Sequence, residues 1–344
     1  YQAQLGSLAA RSERIARLAG QLAGCCGADP TRVARAALLC KCDLLSAMVG
    51  EFPELQGTMG RYYAAVDGED AEVATAIDEH YLPRGAADAL PTTPTGTALA
   101  LADRLDTLAG IFAIGQKPSG TRDPYGLRRA AIGLLRIARE RRLEFDLPAL
   151  IQAAVDAQPL ADLAARREAV AADVHAYVIE RLRAQYIEDA ASGVTTELFD
   201  AVLAGAPRSV PDFEARLAAM ATFLKASEAA SLAAANRRIA NILKKSPEPP
   251  PAVVDAGLLT HAAERALHAA LEARRGGIED AAARRDYAGA LAMLAQLRPE
   301  VDAFFDGVLV NDPDARVRAN RLALLGSLRS LFTRIADFSR LPGA

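Results

Sequence analysis

Between Gly96 and Arg142 the sequence GTALALADRLDTLAGIFAIGQKPSGTRDPYGLRRAAIGLLRIARERR reads as two helices around a turn. Ala98, Ala102, Leu105, Leu108 and Phe112 recur at the three- and four-residue spacing that places side chains on one helix face. Gly115-Gln116-Lys117-Pro118-Ser119-Gly120 interrupts the pattern with turn residues. Asp123 then fits an N-cap with Pro124 at the first helical position, and Leu127, Ala130, Ala131, Leu134, Leu135 and Ala138 resume an apolar stripe. The remaining sequence supports the same class: 51% is hydrophobic, mostly Ala and Leu, with no Trp and 5% aromatic residues. Ala and Leu favour helices, whereas β-branched and aromatic residues favour strands, so the expected fold is all-α.

The same stretch is the most lopsided in charge. From Lys117 to Arg142 there are eight basic residues against Asp123 and Glu140, in a chain whose net charge is −3. A basic patch on a slightly acidic body suits phosphate, and Lys117, Arg122, Arg128 and Arg129 are its candidate contacts. Elsewhere, Arg166, Arg167, Arg181 and Arg183 alternate with acidic residues and read as a solvated face.

At 344 residues the chain has room for two or three domains. No apolar run approaches the roughly 20 residues that span a bilayer, and no signal segment opens the chain, so a cytoplasmic protein without membrane contact is expected. The chain starts at Tyr1 in residues that already look helical, which reads as a fragment of a longer polypeptide. Cys25-Cys26 and Cys40-x-Cys42 lack the C-x-x-C spacing of a structural zinc site and read as reduced, buried thiols. His80 has no nucleophile or second ligand near it in sequence and reads as a hydrogen-bonded structural residue.

Two helices, 8–24 and 30–49, are expected around Gly27-Ala28-Asp29-Pro30. The second carries Leu38-Leu39-Cys40-Lys41-Cys42-Asp43, and Leu101-Ala102-Asp103-Arg104-Leu105 follows at a distance. This pairing resembles the HD superfamily of metal-dependent phosphohydrolases, in which His, a His-Asp pair and a last Asp hold a water-activating divalent ion. On that resemblance Asp43 matches the Asp of the pair and Asp103 the last Asp. Cys42 stands where the pair's His belongs, and Ser12 to Arg14 offer no first His. The expectation is a vestigial site with no metal and no catalytic residue.

A larger set of motifs carries a second resemblance. Glu51-Phe52 with Glu54-Leu55-Gln56-Gly57, Tyr81-x-Pro83-Arg84, Asp103-x-x-Asp106-Thr107-Leu108 and Lys117-Pro118-x-Gly120-x-x-Asp123-Pro124 before Leu127-Arg128-Arg129-Ala130-Ala131 follow in order. Together they resemble the beta-subunit family of bacterial heterotetrameric glycyl-tRNA synthetases, of which the chain would be the C-terminal half. The closing segment, with Ala319-Asn320-Arg321-Leu322 as its best-matching part, is similar to DALR-type anticodon-binding domains, although the name-giving tetrad reads Asp314-Ala315-Arg316-Val317-Arg318.

These resemblances imply three regions: an HD-like helical domain over 1–145, an intermediate helical region over 146–206 and a DALR-type bundle over 207–344. They imply recognition of glycine tRNA, with Lys117, Arg122, Arg128 and Arg129 on its body or acceptor arm. Asn236, Arg237, Asn241, Lys244, Asn320 and Arg321 are the anticodon candidates, since amides read base edges and cations hold phosphates. ATP and magnesium would act on an alpha subunit in an α2β2 tetramer, and this chain has no phosphate loop or catalytic motif in the right context and is not expected to be catalytic alone. The competing classes are a divergent HD-type phosphohydrolase, which stoichiometric bound metal would indicate, and a helical scaffold, which would lack salt-dependent RNA binding.

Overall fold

The computed structural model describes residues 2–85, 87–118, 123–246, 249 and 251–341. Among these every regular element is helical: sixteen α-helices and seven short 3-10 turns. The chain divides into two compact units. One runs to Glu188 and takes in Arg208–Pro211; the other comprises Asp189–Pro207 and the chain from Asp212 onward. The sequence region 146–206 is thus shared, its first part built into the first unit and its last into the second.

The first unit contains α1 (Leu8–Cys26), α2 (Pro30–Leu39), α3 (Ala47–Glu51), α4 (Thr58–Val66), α5 (Ala71–Glu79), α6 (Pro94–Ala113), α7 (Leu127–Glu140), α8 (Leu147–Asp156) and α9 (Arg167–Ile187). Its organising element is α6, which packs against α1, α2, α5, α7, α8 and α9. Leu99, Leu101, Leu105, Leu108, Ile111 and Phe112 are buried on different sides of it, which is why its sequence reads as almost continuously apolar rather than as a single stripe. Gly110 lets Leu5 approach: a Cβ there would meet Leu5 Cδ1 at 2.8 Å. Thr93 caps α6 ahead of Pro94, and the buried Glu79 fixes that cap by accepting hydrogen bonds from the backbone and hydroxyl of both Thr92 and Thr93.

Two expected helix ends are placed differently. The helix beginning at Pro30 stops at Leu39, and Cys42–Leu45 form a 3-10 turn before Ser46 caps α3. The turn brings Lys41 and Asp43 inside while leaving Cys42 exposed. Likewise α7 starts at Leu127, behind Gly126 in the left-handed region at φ 67°. Asp123 still serves that end, but across a turn: its carboxylate accepts from Leu127 N at 2.7 Å and Arg128 N at 2.8 Å.

The second unit contains α10 (Thr196–Leu203), most of α11 (Val210–Phe223), α12 (Ala229–Lys245), α13 (Ala262–Ala283), α14 (Tyr287–Ala295), α15 (Arg298–Gly307) and α16 (Ala315–Thr333). α13 packs against α14, α15 and α16, and α12 lies against α15 and α16. Phe332 and Phe338 stack edge to face at 4.9 Å inside it, with Phe223 5.6 Å from Phe338. Asp314 caps α16, as its position ahead of the apolar stripe predicts.

Arg14 shows what burial of α6 demands. It is 2% exposed, its Nε lies 2.6 Å from the fully buried Asp106 Oδ1, and its other donors reach Asp106 Oδ2 and the Leu5 carbonyl. Arg14→Ala removes the nearer of the two guanidiniums around that carboxylate, leaving Arg11 Nε at 3.6 Å and the Gln158 amide at 3.1 Å, and is expected to cost about 3 kcal/mol, read as a drop in the urea midpoint. Arg14→Met combined with Asp106→Leu removes both charges and is expected to recover most of the loss; a double variant as unstable as the single one would contradict this account.

Candidate nucleic-acid interface

The structure sorts the candidate residues into spent and available ones. In the second unit Asn236 is buried, and its amide donates to the Leu232 carbonyl one turn back. Asn320 is buried too and brackets the backbone of Asp255, accepting from its N at 2.7 Å and donating to its carbonyl at 2.9 Å. Arg321 pairs with Glu264, which is 0% exposed, and with Asp312 at 2.6 Å while donating to the Leu309 carbonyl at 2.8 Å. Glu264 in turn accepts from His261 N and closes the capping box of α13. The expectation that Asn236, Asn320 and Arg321 meet RNA is therefore corrected: they are internal braces, and α16 turns Asn320 and Arg321 toward the protein.

The other candidates lie on an open surface. Arg237, Arg238, Asn241 and Lys245 of α12 line a cleft of about 620 Å³ together with Asn311 and Arg318. Four cations and two amides face it, and among the described residues no carboxylate lines it. Arg237 also donates to the Leu341 carbonyl and Arg318 to the Asp312 carbonyl at 2.7 Å, so both guanidiniums are held in place. Arg238 lies over the Phe305 ring at 4.3 Å, a cation–π contact that fixes its stem. Asn241 and Lys245 are exposed, and Lys244 is exposed beside them without lining the cleft. Sequence reading groups Arg238 and Lys245 with Arg237 and Asn241 as a run of amides and cations suited to RNA, and misses Asn311 and Arg318. The i, i+3, i+4 spacing of 237, 238, 241 and 245 puts those four on one helix face, whereas Asn311 and Arg318 join them only through the tertiary fold.

In the first unit the basic stretch divides the same way. Lys117 is paired with Asp173 at the surface. Arg122 lies outside the described residues. Arg128 and Arg129 are exposed, and neither side chain has a hydrogen bond or ion pair among the described residues. Arg136 bonds Glu140 and the Asp88 carbonyl, Arg139 lies 5.2 Å over Tyr186, and Arg141 donates to the Pro91 carbonyl, so these three brace the fold. Arg166, Arg167 and Arg183 pair with Asp162, Asp156 and Glu180 on the surface.

The HD-like positions do not form a metal centre. Asp43 is buried and accepts from Gly57 N at 2.6 Å and Gly60 N at 3.2 Å, which ties the 3-10 turn to the start of α4. The residue that faces Asp103 is Lys41, with Nζ 3.3 Å from Asp103 Oδ1 and 2.7 Å from His80 Nε2. Arg11 pairs with Asp103 from the other side at 2.8 Å. A buried ammonium thus takes the place and the charge that a divalent ion would need, and among the described residues no three His, Cys, Asp or Glu side chains converge as a ligand set. Burial would raise the Asp103 pKa, but Arg11 and Lys41 outweigh it and hold the carboxyl well below the usual range. His80 is shifted well below its ordinary value by burial and by Lys41. With Nδ1 2.6 Å from the Ile77 carbonyl, the neutral ring donates there and accepts from Lys41 at Nε2.

Two predictions arise here. Arg321→Ala strands the buried Glu264 carboxylate and is expected to lower stability by about 3–5 kcal/mol in urea titration; an unchanged midpoint would return Arg321 to the pool of free cations. Because the His80 pKa is lower folded than unfolded, the unfolded chain binds the extra proton. Stability is therefore unaffected by this residue above the unfolded value of about 6.5 and falls as pH drops below it, by up to about 1.4 kcal/mol per pH unit. In thermal melts across that window His80→Gln should flatten the slope, leaving the part due to His175, whose pKa burial also lowers; an identical slope would exclude His80 as the source.

Comparison with known proteins gives these surfaces a context. Residues 1–204 match the family model described as glycyl-tRNA synthetase beta subunit, and residues 232–337 match the DALR anticodon binding domain. The chain is 50% identical over 343 residues to the glycine–tRNA ligase beta subunit of Acinetobacter baumannii, covering 100% of this chain and 49% of that protein. It is 49% identical over 341 residues to the protein of that name from Ectopseudomonas mendocina, covering 99% of this chain and 49% of the relative. For Pseudomonas aeruginosa the identity is 48% over 341 residues, with the same coverage. The chain spans about half the length of the curated relatives it matches. No helix among the described residues is long and apolar enough to cross a membrane.

Proposed function

The chain belongs to the glycyl-tRNA synthetase beta-subunit family, and from that membership we propose that it is the C-terminal half of such a subunit and recognises glycine tRNA. On this reading it serves an α2β2 ligase in the cytoplasm. The alpha subunit holds ATP and magnesium and performs the glycylation, while this chain positions the tRNA.

The observation that carries the proposal is the cleft of the second unit lined by four cations and two amides, which lies within the segment matching the DALR anticodon binding domain. Cations there hold phosphates of the anticodon loop, and the Asn241 and Asn311 amides read its bases. Glycine anticodons share cytosines at two positions. A cytosine edge offers an amino donor beside ring-nitrogen and carbonyl acceptors, and one carboxamide can pair with both kinds of group. Arg128, exposed and unpaired among the described residues, is a phosphate contact for the tRNA body.

The test is binding of the whole chain to a glycine anticodon stem-loop and to one with both cytosines changed. The unaltered loop is expected to bind more tightly. Asn241→Ala should remove about 1–3 kcal/mol of that preference, the size of a bidentate base contact in DNA. Lys245→Ala should weaken both loops alike and reduce the slope of log affinity against log salt by about 0.7, as for one phosphate on a single strand. Equal binding of the two loops by the unmodified chain would reduce the cleft to a nonspecific clamp.

A further inference from the structure

A separate cavity of about 310 Å³ opens in the first unit between α6, the start of α7 and the segment that follows α5. Its floor is His80 and Asp103, both held by Lys41, and the buried Arg104, and its rim carries Arg84, Tyr125 and Arg129. The floor's polar groups are already engaged. Arg104 donates to the carbonyls of His80, Ala100, Tyr81 and Pro83, and Gly133 gives it room, since a Cβ there would stand 2.5 Å from Arg104 Nε. The Asp103 charge is answered by Arg11 and Lys41, and His80 is held neutral. The floor therefore adds fixed positive potential while offering few free donors.

The rim differs. Arg129 has no partner among the described residues and stands over Gly126, where a Cβ would meet its terminal nitrogen at 3.1 Å. Arg84 gives one nitrogen to Asp78 at 3.0 Å and to the Gln56 carbonyl at 3.3 Å, and among the described residues its Nε and other terminal nitrogen have no partner. Tyr125 is 39% exposed at the mouth. Three guanidiniums and one neutralised carboxylate line a space at the small end of ligand pockets, roughly 300 Å³ and upward, and far larger than an inorganic phosphate. We propose that this cavity binds one nucleotide unit, its phosphate between Arg84 and Arg129 and its base against Tyr125. Two guanidinium forks give the bidentate geometry that phosphate oxygens match, and an aromatic ring at the edge stacks a base of any identity. The site lies in the first unit and does not rest on the cleft of the second.

Such a unit can come from a free mononucleotide or from the unpaired 3′ end of an RNA. Calorimetry of the whole chain with AMP and with inorganic phosphate tests the shared chemistry. Saturable AMP binding is expected, with Arg129→Ala and Arg84→Ala each weakening it by about tenfold, as for loss of a charge-assisted pair. Tyr125→Ala should weaken AMP and leave phosphate unchanged, whereas Lys245→Ala should leave AMP unchanged, so this site and the cleft stand or fall apart. Displacement of AMP by intact tRNA but not by tRNA trimmed of its unpaired 3′ nucleotides assigns the site to an RNA end; displacement by neither assigns it to a free nucleotide. Absence of AMP binding, or AMP binding indifferent to both arginine substitutions, overturns the proposal.

Discussion

A helix packed on several sides by other helices has few exits for a charged side chain, and α6 carries Asp103, Arg104 and Asp106 in succession. Unpaired, each would cost several kcal/mol of lost hydration. The neighbouring helices are built around that demand. α1 supplies Arg11 and Arg14, the turn after α2 supplies Lys41, and the backbone between His80 and Pro83 supplies carbonyls for Arg104. These pairings specify which face of α1 meets α6 and where α2 must end. The penalty for a wrong register is a stranded charge rather than a slightly poorer apolar fit.

The same constraint explains why arginine counts mislead about function here. Arg141 donates to a carbonyl, Arg139 caps an aromatic ring and Arg321 neutralises a buried glutamate. Arginine's long apolar stem and multiple donors suit it to bracing loops against helices, and such a residue has the same one-letter code as one that meets a phosphate. What separates the two groups is whether carboxylates or carbonyls lie within reach, which depends on long-range contacts that local sequence does not encode.

Much of the helical framework was legible from the chain because its signals are local. Pro30 after Asp29 marks a helix start that a side-chain cap confirms, and in the structure Thr93 and Asp314 likewise cap α6 and α16. The exceptions have tertiary causes. Periodicity alone carries the second helix to residue 49, but burying Lys41 and Asp43 requires the chain to turn at Leu39. Asn320 looked like a base reader because amides on a basic helix often are; a backbone partner 65 residues away claims it instead. Cys42 stands at the position where the resemblance places a ligand histidine, whereas the residue that reaches Asp103 is its neighbour Lys41, one position around the turn.

Lys41 also shows how one ammonium can satisfy a buried carboxylate and an imidazole together. Without that ammonium, the Asp103 charge and the His80 lone pair would stand unpaired in a buried space, which is costly. A single ammonium meets both: it neutralises Asp103, donates to His80, and lies 4.3 Å over the Tyr81 ring. The resulting floor is rigid and positively biased, and with its groups already engaged it offers no activated water. A cavity over such a floor is suited to holding a phosphate-bearing group without cleaving it.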